Sequence, residues 1–256
     1  MPTPNQRGED VTGRAAYGGA SPLNLASMRV GCLIGSGRDC DIYEAGAGKV
    51  IRRAKDGRSL EREASVMRHA SRGGFPAPQV YDADGPDILM ERLDGPSLYQ
   101  DAAAHPRRVS DHGRLLADLL KKLSAVRAPG WLPAVCVGSH LLHLDLHPHN
   151  VLLTGDGPRV IDWATARRGA SAADVAATWL ALASGHVDPA LRRSRDLMLA
   201  AFLDRVDREA ARPHLTVMAD RRRTDRNADN AETAAIDRLL ASEHITLEEA
   251  VHGRST

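Results

Sequence analysis
The chain has 256 residues with a formal net charge of +1, 34 Lys and Arg standing against 33 Asp and Glu. That length buries a sizeable core in one or two lobes, and the near-zero charge offers no field for nucleic acid or an acidic membrane, so neither is expected as a partner. Three cysteines without a C-x-x-C spacing build no disulfide framework, no apolar run is long enough to span a membrane, and the first residues lack the apolar core of a signal peptide, so a cytoplasmic setting is expected.

Residues 1–27 are rich in Pro, Gly and Ala without periodicity and are expected to form a poorly ordered tail. Arg29–Ile34 reads as a strand, followed by the turn Gly35-Ser36-Gly37 and a second strand through Tyr43. Glycines at such a turn let backbone N–H groups approach phosphates, although an ordinary hairpin turn explains Gly35 and Gly37 almost as well. Lys49–Arg53 is the next strand. By strand alternation Val50 and Arg52 share one face, and Ile51 and Arg53 the other.

Leu60, Glu63, Ala64 and Met67 then recur at helical spacing. Glu63 lies on this apolar stripe, where a lone carboxylate is costly unless paired; Glu61 is offset from it and faces water. Gly73–Pro78 stops the helix. Gln79–Tyr81 and Asp87–Glu91 read as strands around Asp84-Gly85-Pro86, and Leu93–Pro96 as a crossover. An antiparallel sheet with one helix over residues 28–93, then a mainly helical lobe over 94–256, is the expected α+β organisation.

In the second lobe Leu116, Leu119, Leu120 and Leu123 form a stripe, with Ser110 as expected N-cap, Pro129-Gly130 as stop, and a role as the buried scaffold helix behind the catalytic hairpin. Ser171 and Asp174 have capping-box spacing at the head of another helix. Further helices are expected around 192–208, 229–242 and 247–251, the last capped by Thr246 with Glu249. Arg221-Arg222-Arg223 reads as a solvated helix end in preference to a polyanion site.

Between them stands His143-Leu144-Asp145-Leu146-His147-Pro148-His149-Asn150, followed by the apolar runs Val151–Leu153 and Val160-Ile161 around the turn Thr154–Pro158. This predicts a hairpin with Asp145 and Asn150 on the loop entering it and Asp162 at its exit. One acid, an amide and a second acid meeting at one edge suit phosphoryl transfer. Asp145 would accept the proton of an attacking hydroxyl, and Asn150 and Asp162 would supply oxygen ligands for Mg²⁺ carrying ATP phosphates. A zinc cluster of His143, His147 and His149 is the competing reading, but Pro148 and the run after it oppose the helix that such chelation uses.

H-x-D-x-H-x-x-N with a following I-D-W resembles the aminoglycoside phosphotransferase family, the small-molecule branch of the two-lobed protein-kinase-like fold. The likeness runs from about Val30 to Trp179, with Trp163 where protein kinases carry Phe. It implies ATP and Mg²⁺ as cofactors and a small-molecule hydroxyl acceptor held by the helical lobe; a monomer is expected. It also implies roles for single residues. Gly35, Ser36 and Gly37 would form the phosphate loop, with Cys40 where a third Gly is usual. Val50 would touch adenine, and Arg52 would stand in for the phosphate-pairing Lys with Glu63 as its partner; Lys49 or Arg53 would serve if the register slips by one. Met90 would guard the adenine pocket, with the backbone of Glu91 and Leu93 on the base. His143 would brace the catalytic loop and His147 orient it, His149 would be exposed, and Asp174 would steady the loop. A protein kinase is disfavoured, because Ser171 opens a helix too soon after Asp162 for a long activation segment and no A-P-E follows. A catalytically inactive nucleotide-binding module is the other alternative, kept open by Cys40 and Arg52.

Overall fold
The computed structural model describes residues 25, 30–225 and 229–243. The tail expected over 1–27 and the helix expected over 247–251 therefore fall outside the described residues, Leu25 excepted. Five strands form an antiparallel sheet in the order β1-β2-β3-β5-β4: β1 (Leu33–Ser36), β2 (Cys40–Glu44), β3 (Lys49–Ala54), β4 (Val80–Asp84) and β5 (Asp87–Glu91). The first strand starts later than the sequence suggests. Among the described residues before it, Gly31 N–H donates to Glu44 O and Cys32 O accepts from Glu44 N–H, both at 2.9 Å.

In β3 the period of two settles which cation faces inward. Val50 and Ala54 join the main core beneath α1 (Glu61–Arg72), while Ile51 packs on the opposite face with Leu25 and Leu89. Lys49 lies over the Tyr81 ring at 4.7 Å, and Arg53 makes a two-pronged pair with Asp87 at 2.7 and 2.6 Å. Both are engaged away from the face that Arg52 shares with Val50. Helix α1 buries Glu63, Ala64, Val66, Met67 and Ala70; each large apolar side chain so buried contributes about 1.5–3 kcal/mol.

The crossover reaches the helical part through Gly95, whose φ is +152° and whose added Cβ would meet Leu153 O at 1.9 Å. Leu153 N–H donates to Pro96 O at 2.8 Å, tying the crossover to the catalytic hairpin. Helix α2 (Leu98–Ala104), not foreseen, starts at a full capping box between Ser97 and Gln100.

Helix α3 (Val109–Leu123) buries the expected leucines, but Arg108 is its N-cap and Ser124 its C-cap, so Ser110 lies inside it and the helix ends well before Pro129. It packs chiefly on α5 (Arg192–Leu203), so closely that a Cβ on Gly113 would meet Met198 O at 2.2 Å. The element at the centre of the helical part is α4 (Ser171–Ser184). It touches α3 and α5 and also α6 (Arg208–Ala211), α7 (Leu215–Arg223) and α8 (Asn230–Ser242). Its Ala173, Ala176 and Ala177 are small enough to let neighbouring axes come close.

Two short ladders complete the fold: β6 (His140–Leu142) with β9 (Arg167–Gly169), and the predicted hairpin of β7 (Val151–Thr154) with β8 (Gly157–Val160), registered Val151 to Val160. Cys32, Cys40 and Cys136 are free thiols. Among the described residues no helix is long and apolar enough to cross a membrane.

Candidate active site
The hairpin register brings the two ends of the motif together. Asn150 and Ile161 flank the Val151–Val160 pair, and Ile161 N–H donates to Asn150 O at 2.9 Å. Asp145, Asn150 and Asp162 thereby face one cavity of about 1120 Å³, whose other wall carries Val50, Arg52 and Met90. Gly35, Gly37, Glu63, Glu91, Leu93 and His147 also line it. Ser36 does not. Its hydroxyl donates to Asp41 Oδ1 at 2.7 Å and accepts from Lys55 Nζ at 2.9 Å, and Lys55 also bonds Gly37 O at 2.6 Å. The loop tip is thus pinned by its own neighbours, and the Ser36 side chain is already engaged. Glu91 N–H is likewise taken, by Gln79 O at 2.8 Å, so of its main-chain groups the carbonyl is the one left to meet a base.

Two non-glycine residues of the motif have left-handed backbone, Leu144 at φ +62° and Asp162 at φ +63°. Such conformations persist only where surrounding bonds hold them. At Leu144 the holder is Asp174. Its Oδ2 accepts the His143 N–H at 2.8 Å and its Oδ1 the Leu144 N–H at 2.7 Å, wholly buried. The capping-box reading of Ser171 and Asp174 is thereby corrected: the N-cap of α4 is Ala170 and no side chain caps it. Burial pushes the Asp174 carboxyl up, opposed by His143 and the two amide bonds.

His143 is fully buried behind the loop and does not line the cavity. Its Nδ1 accepts from Asp145 N–H at 3.3 Å, which assigns the proton to Nε2, 3.0 Å from Ile161 O. One imidazole therefore links the loop before the hairpin to the strand leaving it. Trp163 packs edge-on against His143 at 4.7 Å and against Phe75 at 5.5 Å, with its indole N–H on Val160 O. His149 is exposed and stacks on Tyr99 at 4.0 Å, a partner no sequence pattern marked.

Asn150 Nδ2 donates to Asp145 O at 2.9 Å and lies 3.3 Å from Asp145 Oδ2, which leaves the amide oxygen of Asn150 for a cation. His147 Nε2 lies 3.5 Å from Asp145 Oδ2. Burial works to raise the Asp145 carboxyl, but the His147 hydrogen bond, with the charge of Arg222 and the two neighbouring imidazoles, outweighs it. The net shift is below the usual 3.8, and an ionised Asp145 at neutral pH can accept a proton.

Arg52 Nη1 is 2.6 Å from Glu63 Oε1 and its Nη2 3.8 Å from Asp162 Oδ1. Glu63, 5% exposed, also accepts Trp163 N–H at 3.0 Å, while its Oε2 has no hydrogen-bond partner among the described residues. Arg52 thus stands between the α1 carboxylate and the second motif acid, whose side chain is 44% exposed and reachable. The Asp162 carboxylate and the Asn150 amide oxygen, both on the cavity wall, are hard-oxygen donors of the kind Mg²⁺ takes beside phosphate oxygens. Arg52→Ala is expected to cost about 3–5 kcal/mol, because it strands the Glu63 charge. Glu63→Gln on that background is expected to recover part of the loss, both read by chemical denaturation.

A model of the phosphotransferase enzyme family (APH) matches residues 31–135 and 130–214, more than half of the chain. A curated relative, the probable serine/threonine-protein kinase PkwA of Thermomonospora curvata, is 36% identical over 110 residues, which are 41% of this chain and 13% of that protein, so the chain spans a small part of that relative's length. Among solved structures, aminoglycoside phosphotransferase APH(4)-Ia aligns with TM-score 0.62 at 17% identity, over 85% of this chain and 95% of that one. The streptomycin-ATP-APH(2")-IIa ternary complex aligns with TM-score 0.58 at 13% identity, over 89% and 100%. An ethanolamine kinase of Plasmodium vivax aligns with TM-score 0.54 at 15% identity, over 85% and 82%. At such identities the likeness is one of fold, the two-lobed protein-kinase-like α+β fold that the motif implies. The chain belongs to the phosphotransferase enzyme family.

Proposed function
We propose that this chain moves the γ-phosphate of ATP to a hydroxyl of a small molecule, with residues 28–93 holding the nucleotide and residues 94–256 carrying the catalytic loop and the acceptor. The observation that supports it is the convergence of Asp145, Asn150, Asp162 and Arg52 on one cavity. Asp145 takes the proton of the attacking hydroxyl and orients it. Asn150 and Asp162 hold Mg²⁺, which supplies charge neutralisation at the phosphates when bound. Arg52, fixed by Glu63, holds a phosphate oxygen, and Gly35 and Gly37 let the loop backbone close over the phosphates. Val50 and Met90 pack on adenine, with Glu91 and Leu93 at its polar edge. His143 and His147 position the loop. The chemistry is mainly orientation and electrostatic stabilisation.

A small-molecule acceptor is favoured over a protein, because β9 and α4 follow Asp162 at once, with no room for a long activation segment. The neighbours named as aminoglycoside phosphotransferases and an ethanolamine kinase support the same direction. The test is a panel of hydroxylated compounds assayed for ADP release, with Asp145→Asn as blank. Acceptor-dependent release by the wild-type protein alone is expected. Equal release by both would take Asp145 out of the mechanism.

A further inference from the structure
Two aromatic rings that the mechanism leaves unused meet beside the catalytic loop. Tyr99 of α2 stacks on His149 with ring centroids 4.0 Å apart and planes 23° from parallel, and both residues line the cavity that holds Asp145. Tyr99 belongs to the first helix after the crossover. His149 lies one residue before Asn150.

The Tyr99 side of this contact is held at both ends of its helix. Ahead of it, Leu153 N–H donates to Pro96 O and the buried Ser97 bridges to Leu152, so the start of α2 is joined to β7. Behind it, the Asp101 carboxylate, 5% exposed, accepts from Arg108 Nη1 at 3.0 Å and lies 2.8 Å from His112 Nε2 on α3. Tyr99 stands between these anchors, and a ring with two side-chain torsions has little freedom left to lose. The His149 side is held less firmly. It sits in the three-residue 3-10 turn Pro148–Asn150, closed by Asn150 N–H on His147 O at 2.9 Å. So short a turn supplies poor hydrogen-bond geometry of its own, and the stack on Tyr99 gives it an outside reference.

From His149 the contacts run on to the base. The His149 ring meets the His147 ring edge-on at 5.8 Å. The His149 N–H donates to His147 Nδ1 at 3.3 Å, which assigns the His147 proton to Nε2. That nitrogen lies 3.5 Å from Asp145 Oδ2 and 3.2 Å from Asn150 Nδ2. Asn150 Nδ2 is itself a donor, engaged with Asp145 O at 2.9 Å, so the Nε2 proton is directed at the Asp145 carboxylate.

We propose that Tyr99 is a positioning residue for phosphoryl transfer. Its ring sets His149, His149 fixes the tautomer and tilt of His147, and His147 aims the Asp145 carboxylate at the acceptor hydroxyl. The proposal rests on the phosphotransferase reading of the same cavity. It requires an aromatic face at position 99 and makes no use of the hydroxyl.

The test compares Tyr99→Phe, which keeps the ring, with Tyr99→Leu, which keeps apolar bulk without one, in the full chain. With ¹⁵N-labelled histidine, NMR of the His147 ring nitrogens, identified by their loss in His147→Asn, is expected to show one tautomer protonated at Nε2 in the wild type and in Tyr99→Phe, and a mixture in Tyr99→Leu. ADP release with water as the hydroxyl source, and Asp145→Asn as blank, is expected to fall about tenfold or more in kcat for Tyr99→Leu at an unchanged KM for ATP, and to stay within about twofold for Tyr99→Phe. Melting curves and titration with a non-hydrolysable ATP analogue report that each variant is folded. Should Tyr99→Leu not fold, His149→Tyr and His149→Leu make the same comparison from the other ring. A His147 tautomer unchanged by loss of the ring, or a loss of kcat that the ring-keeping variant shares, would overturn the proposal. Wild-type protein that binds no ATP analogue would overturn the phosphotransferase reading, with the His147 signal still deciding whether Tyr99 sets the loop. Intact binding and turnover that loss of the ring does not slow sinks the positioning role alone.

Discussion

Asp145→Asn is expected to lower kcat by about 10²–10⁴-fold, the range that a positioned general base contributes, with the affinity for ATP little changed. The substitution keeps the size of the side chain. It also keeps the bond from Asn150 Nδ2 to the main-chain oxygen of residue 145, because that acceptor is a peptide carbonyl. What disappears is an atom able to take a proton. The pH profile should separate this from a structural effect. Since the folded-state carboxyl of Asp145 lies below 3.8, it is ionised throughout the neutral range, and the acid limb of kcat/KM that it sets falls below that value. The same sign governs stability: the contribution of Asp145 is present above its unfolded pKa and is lost as pH falls through the folded one. Steady-state kinetics and an ATP titration on both proteins decide the matter. A variant that loses ATP binding and turnover in parallel would mark Asp145 as structural.

The parts of this site that were legible from the sequence are those decided by local pattern. Alternation in β3 put Val50 and Arg52 on one face, and the structure has them there because Ile51 and Arg53 find partners on the other. The helical period of α1 placed Glu63 on a buried stripe, where a carboxylate demands a cation. The turn between two apolar runs located the hairpin and so the meeting of Asp145, Asn150 and Asp162. Competitions between distant groups were not legible. Ser171 and Asp174 fit a capping box, but two amides 31 and 30 residues away bind the carboxylate instead. Ser110 fits an N-cap, but Pro106–Arg108 already winds a 3-10 turn that carries the helix start back to Val109. Helix α7 shows in the sequence only through its basic end, because it buries only Leu215, Met218 and Ala219, too few to show a period. The signal for α2 lies in Ser97-x-x-Gln100, the spacing of its capping box. The Arg221–Arg223 run was visible, but the pairing of Arg222 with Glu232 and of Arg223 with Asp237 on α8 is made by residues that only the fold brings near.

Asp174→Ala is expected to lower kcat by about 100-fold or more, as misplacement of a reacting group by an ångström can do, although Asp174 does not line the cavity. Its two oxygens hold consecutive amides at the residue where the chain turns left-handed to present Asp145. Removing them leaves two buried N–H groups unpaired, at about 1–3 kcal/mol each. The substitution also abolishes the cost of burying an ionised carboxyl, a cost visible in its upward-shifted pKa, so the net loss of stability is expected to be smaller, about 2 kcal/mol. Asp174→Asn removes the charge as well but turns an NH₂ toward one amide, so it should rescue neither the loop nor the rate fully. The two readouts discriminate. If Asp174 only braced the core, stability would fall and the activity of the folded fraction would not. If it shapes the loop, the folded variant, checked by its melting curve and ATP affinity, turns over slowly. Full activity in a folded Asp174→Ala protein would show that Leu144 holds its positive φ without those bonds, leaving the buried carboxylate without the purpose assigned to it.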